Sequence, residues 1–406
     1  MGNEEEEVTN QTLELMVVGD LLLGAPEAEP YFDKVRSTLK SADVAVGQVE
    51  WPHTNRGQVC AAELPAPAAD PRHLGAVQRA GFSIATLASN HMFDQGPNGV
   101  LDTLAELEQL GIAQVGAGRT LDEARKPAIV EANGVRLGVL AYNCVGPRES
   151  WATPVKAGTA YIQIMTHYEL EYASPGSRPA EFSFPHPEHL EAMEDDIRKL
   201  KSDVDVVLVV QHKGMIRIPS KLALYERQIS RAAIDAGADI VVGHHAHILQ
   251  GIEVYKGCPI YHGVNHFVAV YADQKSGHTT SNGINMHDRH YFRKSMREPP
   301  PADRDPNSNF RYAPESRNTM IATCELSRDG VKRAGFVPCW INLQEQPEPV
   351  GPQDVRGQEV YEYVKKITKD LGVELKFEWR GDRVYFLDKN SRSHTQIDFP
   401  QIPLRR

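Results

Sequence analysis

Cysteine is scarce in this sequence, and the five present, Cys60, Cys144, Cys258, Cys324 and Cys339, lie far apart with no C-x-x-C pair. That spacing argues against a disulfide framework or a thiolate metal site and points to reduced thiols in a cytoplasmic protein. Long apolar runs are missing too: no window reaches the roughly 18 residues that a membrane-spanning helix needs. The N-terminus, Met1 to Asn10, has neither the basic nor the apolar region of a secretory signal, so no membrane anchor is expected. Glu6 stands where a myristoylation motif wants Ser or Thr. Positive charge is in deficit, with 44 Lys and Arg against 54 Asp and Glu. The resulting net charge of −10 argues against a nonspecific nucleic-acid binder, while a local basic pocket can still receive an anionic substrate. Two catalytic signatures fall short as well. Gly116-Ala117-Gly118 lacks the Lys-Ser/Thr of a P-loop, and no G-x-S-x-G surrounds Ser89.

What remains is a soluble globular composition, 41% hydrophobic and 24% charged, over 406 residues. It implies one large α/β domain with insertions and a small appended unit. Short apolar runs alternate with amphipathic stretches, the pattern of a sheet covered by helices. Strands are expected at Leu13–Val18, Val44–Val46, Ser83–Leu87, Gly111–Val115, Leu137–Ala141, Val204–Val210, Ile240–Val242, Pro259–Tyr261 and Met320–Leu326. Helices are expected at Tyr31–Leu39, Arg72–Ala80, Pro97–Gln109, His189–Leu200 and Ser220–Ala236, the last between Pro219-Ser220 and Gly237. Two long irregular stretches, about 146–187 and 272–317, read as lids or binding loops. Beyond Gly351 the pattern predicts a helix over Gln358–Leu371 and a hairpin of Val373–Trp379 with Arg383–Leu387.

The run Asp239-Ile-Val-Val-Gly-His-His-Ala-His247 sends a β-branched strand into three histidines. His245 and His247 are spaced i, i+2, so an extended backbone would point both rings to one side, with His244 opposite in a supporting role. Other expected strands end similarly: in Gly19-Asp20, in Gln48 and Glu50, in Asn90-His91 with Asp94, and in Gln211-His212. Alone, Asp20 reads as a helix cap and Glu50 as a solvated edge. Together, at the carboxyl ends of strands where α/β sheets gather ligands, they supply more carboxylate, amide and imidazole than one mononuclear site uses. A mixed N/O set suits Mn, Fe or Zn, and two such divalent ions make a hydrolytic centre.

These motifs, with Glu50-Trp-Pro-His-Thr54, Ala88-Ser-Asn-His-Met-Phe-Asp-Gln-Gly96, Gln211-His-Lys-Gly214 and Gly243-His-His-Ala-His-Ile-Leu-Gln-Gly251, occur in the order seen in a known family. Over about residues 13 to 270 the chain resembles the CapA-type proteins of capsule and poly-γ-glutamate biosynthesis, in the calcineurin-like metallophosphoesterase superfamily. The resemblance implies a layered β-sandwich flanked by helices over residues 12–345, with 351–406 as a small C-terminal α+β appendage. It implies metal ligation by Asp20, Glu50, Asn90, His212, His245 and His247, with His91 over the reacting group and Asp94 orienting it. Gln48, Lys213, Ala246 and His266 depart from the family pattern and are expected to line the pocket.

Further contacts to substrate are expected from His53, Lys213, Arg217 and Asn265. Three of these also have a bland reading, His53 as a solvated loop histidine and the two cations as solvated charges. His278, His287 and His290 read as exposed residues of the second insertion. The leading expectation is a metal-dependent hydrolase of a phosphoester or amide bond in a small-molecule or anionic polymer substrate. A non-catalytic accessory protein of polymer assembly and a dedicated catabolic hydrolase are the alternatives. Metal identity and homo-oligomer formation are left open.

Overall fold

The computed structural model describes residues 12–60, 66–169, 179–271 and 312–389. His278, His287, His290 and most of the second long insertion lie outside the described residues. Two large sheets carry the fold. The first runs Glu378–Arg380, Arg383–Asp388, Gly330–Ile341, Asn318–Ser327, Leu13–Leu23, Val44–Val49, Ile84–Thr86, Ala113–Val115, and His266–Val270 also pairs with Leu13–Leu23. The second runs Ile252–Tyr255, Cys258–Tyr261, Ile240–His245, Val206–Lys213, Val135–Asn143, Ala128–Ala132. In both, the strands that carry the expected ligands run parallel.

Side-chain alternation explains why the sheets stack. Leu15, Val17, Val44, Val46, Leu208, Val210, Ile240 and Val242 point inward and form one apolar core between the sheets. Their neighbours Met16, Val18, Ala45 and Ala85 point outward against the helices Leu74–Ala80 and Gly96–Gln109. On the far side, Val207, Val209 and Val241 meet the helices Pro187–Lys201 and Leu224–Asp235. The chain is thus a mixed α/β sandwich of four layers, helices, sheet, sheet, helices. Full burial of each such side chain is worth roughly 1.5–3 kcal/mol, so a one-residue slip that reversed the faces would be prohibitive.

Several expectations need correction. The stretch 146–187 is not wholly irregular, since Ile164–Glu169 and Ala180–Pro185 form a two-stranded ribbon. The strand Gly330–Ile341 was not expected. Its alternation is blurred because it is buried along nearly its whole length, paired on both edges by Asn318–Ser327 and Arg383–Asp388. The helix expected from Ser220 starts at Leu224, where the Glu226 carboxylate accepts the backbone N–H of Ala223. Of the C-terminal segment, residues 351–389 are described. Its hairpin is Glu378–Arg380 with Arg383–Asp388, shorter than expected, and it extends the first sheet. The helix Val355–Asp370 buries Val360, Val364 and Ile367 in the inter-sheet core.

Candidate metal centre

Alternation along Val206–Lys213 puts His212 inward with Leu208 and Val210, and along Val44–Val49 it carries Gln48 and then Glu50 inward with Val44 and Val46. Asp20 needs a different device. Unbroken alternation from Met16 and Val18 would point it at the helices. Register shifts on both flanks of this stretch reverse the pattern, so that Leu21 and Leu23 face the helices and Asp20 faces inward. Gly19 is required there, because a Cβ would lie 2.1 Å from the Asn265 carbonyl oxygen.

The result is a buried set of ligand-type atoms. One oxygen or nitrogen from each of Asp20, Glu50 and His247 lies within 4.8 Å of the others. His247 Nδ1 is 3.5 Å from Asp20 Oδ2, and its Nε2 is 3.6 Å from Glu50 Oε1. On the other side His212 Nδ1 is 3.8 Å from Asp20 Oδ1 and its Nε2 is 4.0 Å from Glu50 Oε1. His212 Nε2 is also 2.9 Å from Asn90 Oδ1, and the His245 ring centroid is 4.9 Å from that of His212. Each carboxylate therefore lies within 4.0 Å of both His247 and His212.

The His212–Asn90 contact is a hydrogen bond, but the imidazole–carboxylate separations of 3.5–4.0 Å are too long for one. They match donors sharing one cation, which at bond lengths near 2.0–2.2 Å stand about 3–4 Å apart. The atoms have no other use: neither Glu50 oxygen has a hydrogen-bond partner among the described residues, nor do Asp20 Oδ1 and the Nδ1 atoms of His212, His245 and His247. Burial drives the Asp20 and Glu50 carboxyls well above their usual range, in Glu50 with added repulsion from Asp20 and Asp94. It drives His212 and His247 well down and His245 to about 3, helped by neighbouring imidazoles. Burial thus disfavours charged imidazoles here, and with them ion pairs. Buried carboxylates that lack protein cations, beside neutral imidazoles that lack donors, fit a divalent metal ion.

The His245–His247 pair converges for a reason other than strand alternation. The strand ends at His245, whose φ is 84°, and His247 has φ 49°, so a left-handed turn gathers the rings 6.2 Å apart. His245 also donates its backbone N–H to Asp20 Oδ2 at 3.1 Å. His244 is the one that follows the strand: it points inward and its Nε2 meets the Val18 carbonyl at 2.9 Å, bridging the two sheets. Arg217 and Asn265 are left-handed as well, so four of the seven non-glycine residues with positive φ among the described residues surround the centre. Each such conformation costs about 1–2 kcal/mol, and strain of that kind gathers at functional sites.

His91 sits at the mouth with its side chain 23% exposed, and its Nδ1 is 2.6 Å from Asp94 Oδ2. The same Asp94 oxygen accepts the backbone N–H of Ala66 at 2.6 Å, which fixes the carboxylate. Arg217, exposed, lies over the Tyr312 ring at 5.5 Å, with Tyr312 in turn 5.4 Å from the His247 ring and 4.2 Å from that of His266. His266 therefore lies beside the centre. Tyr312 was missed in the sequence because it stands 61 residues past the end of the Gly243–Gly251 motif with no pattern around it.

Three expected substrate residues have their side chains committed away from the centre. Lys213 alternates to the helix side, where it is fully buried and its Nζ donates to Ser230 Oγ and to the Glu226 carbonyl. His53 is neither solvated nor in the cluster; its Nδ1 meets the Trp51 carbonyl at 3.0 Å and its ring packs on His73. Asn265 has spent its side chain on structure, donating to the Ser316 and Asn318 carbonyls and accepting from His266 N–H. Two of the departures from the family pattern are also turned to structural use. Gln48 Oε1 accepts from Thr86 at 2.7 Å, and the buried Ala246 accepts the Arg217 N–H through its carbonyl.

A family model described as "Bacterial capsule synthesis protein PGA_cap" matches residues 14–271. The chain is 27% identical over 270 residues to the capsule biosynthesis protein CapA of Bacillus anthracis, covering 64% of this chain and 60% of that protein. It is 28% identical over 270 residues to the PGA biosynthesis protein CapA of Bacillus subtilis, covering 64% of each. The matches thus span under two thirds of these relatives' length. Over 198 residues it is 30% identical to a Mycobacterium tuberculosis protein named "Probable polyglutamine synthesis accessory protein", covering 46% of this chain and 45% of that one. Among solved structures, a calcineurin-like phosphoesterase, YfkN of Bacillus subtilis, aligns over 89% of this chain and 99% of that one, at 11% identity and a TM-score of 0.38.

Proposed function

This chain belongs to the bacterial capsule synthesis PGA_cap family, and on that footing we propose that it is a metal-dependent hydrolase of a phosphoester or amide bond in an anionic substrate. The observation that carries this reading is the trio Asp20, Glu50 and His247, whose buried ligand atoms converge with no cation among the described residues to neutralise them. Asn90, His212 and His245 stand across the two carboxylates and would complete a second ligand group. A divalent cation held there supplies Lewis acidity, acidifying a water and offsetting negative charge that develops on the reacting group.

The chain's own residues supply the rest. His91, with Nδ1 committed to Asp94, presents Nε2 to the mouth and hands a proton to the leaving group or hydrogen-bonds the developing oxyanion. Asp94, itself pinned by Ala66 N–H, holds that ring in one tautomer and orientation. Arg217, held by its backbone bond to Ala246 and lying over Tyr312, provides a cation at the rim for an anionic group. The test is elemental analysis of the purified chain together with assays against a phosphomonoester, a phosphodiester and a γ-glutamyl amide. Metal bound with turnover of one of these supports the reading, and a metal-free chain that is still active overturns it.

A further inference from the structure

Beside the centre lies a second concavity of about 240 Å³ that none of the expected site residues lines. Its floor touches the metal-centre side twice: Cys144 N–H donates to the His212 carbonyl at 2.9 Å, and a Cβ on Gly146 would fall 2.3 Å from Asn90 Cβ. Val145, Ile162 and Ile164 give its walls aliphatic patches beside the polar Gln163, and its one charged lining residue is Arg148. The Arg148 guanidinium is exposed and lies 5.6 Å over the Trp151 ring, with no hydrogen bond or ion pair among the described residues. Trp151 is itself stacked on Tyr161 at 4.2 Å and 4°, and Tyr161 packs on His189, so the shelf beneath the arginine is rigid.

We propose that this cavity is a specificity subsite that holds a carboxylate-ended aliphatic group of the substrate, with Arg148 and Trp151 as its determining residues. The assignment to substrate rests on the hydrolase reading above. The volume is below the roughly 300–1,000 Å³ of pockets for drug-sized ligands, so it takes one residue-sized group rather than a whole molecule. A methylene stem suits the aliphatic patches. The planar guanidinium fork matches one carboxylate bidentately, whereas a phosphate dianion would leave charge unmatched by a single arginine. Gly146 lets the cavity floor pack directly against Asn90, since its φ of 82° and its contact with Asn90 both forbid a side chain.

The test uses the whole chain stripped of metal with a chelator, so that carboxylates cannot report on the metal centre, and titrates it by calorimetry with glutarate, glutaramide and inorganic phosphate. Glutarate is expected to bind saturably, with glutaramide and phosphate weaker by about tenfold or more, as loss of a charge-assisted hydrogen-bonded pair implies. Arg148→Gln should weaken glutarate by about tenfold or more at an unchanged melting temperature, and Arg148→Lys by less. No saturable glutarate binding, equal affinity in Arg148→Gln, or tighter phosphate than glutarate would overturn the subsite. Because the readout needs no metal, failure here leaves the hydrolase reading standing, and failure of metal binding leaves this one.

Discussion

His212 and Lys213 are adjacent in one strand, yet they belong to two buried polar clusters of opposite character. On the inner face His212 joins Asp20, Glu50, Asn90 and His247, where both Glu50 oxygens and several ring nitrogens have no partner among the described residues. On the helix face Lys213 joins Ser230, Glu226 and Gln211, where each side chain has at least one hydrogen bond: Ser230 Oγ donates toward Gln211 Oε1 at 2.9 Å, and Gln211 Nε2 donates to the Ile229 carbonyl. Nearby, Glu253 is bound by Arg227, Arg231 and His262. Burial is equal in the two places, so burial does not distinguish a site from a structural cluster. Satisfaction does. In the inner cluster both oxygens of Glu50 lack a partner, a cost in free energy that a bound cation would recover, whereas the helix-face network leaves only Glu226 Oε2 unpaired among its described side-chain atoms and serves the fold.

The sharpest way to break this contrast is to remove a ligand from the inner cluster. Asp20→Ala or His247→Ala is expected to abolish stoichiometric metal and lower turnover by about a thousandfold or more, read by elemental analysis and the hydrolysis panel. Retained metal in both variants would erase the distinction. Next, His91→Ala should keep its metal and lose roughly a hundred- to ten-thousand-fold in turnover, since the residue stands at the mouth rather than in the ligand set.

A third expectation concerns acid. Burial holds both His244 and His262 down to about 4, so at neutral pH each is an uncharged imidazole. The unfolded chain, with histidines near 6.5, takes up protons first. Stability is therefore whole above pH 6.5 and falls as pH drops toward 4, by about 3 kcal/mol for each of the two groups. Glu253 adds a later loss: burial opposes its ionisation, but the His262 hydrogen bond, Arg227 and Arg231 hold it down to about 2, so its contribution is present above pH 4.5 and disappears toward 2. Urea melts across pH 7 to 4 measure this, and a chain as stable at 4.5 as at 7 would contradict it. The smallest effect is expected from the satisfied cluster. Lys213→Met should keep metal and turnover while costing about 1–3 kcal/mol in denaturant melts, through the stranded Ser230 and Glu226 partners.

Much of the inner cluster was legible because it follows the period of two. Glu50 and His212 lie in register with apolar residues whose inward face is plain in the sequence. The same rule, applied one residue further, would have removed Lys213 from the pocket. His53 and Asn265 were hard to place for another reason: histidine and asparagine near a motif carry no mark that says whether their polar atoms are committed to nearby carbonyls. The Arg148–Trp151 cavity was illegible, because its shelf needs Tyr161 and His189, which come from different turns of the chain.

The amino-acid order by itself determined the alternation that stacks two sheets between helices, and with it the order of ligand-bearing strand ends. Those are local properties, set by which side of an extended backbone each residue must take. The tertiary structure decided what depends on departures from that regularity. It turned Asp20 inward through a register shift that only its neighbours on both sides impose, and it gathered His245 and His247 through left-handed turns that an extended chain would refuse. It also separated the partnered from the unpartnered polar groups, since a hydrogen bond between residues far apart in the chain exists only once the sheets have met.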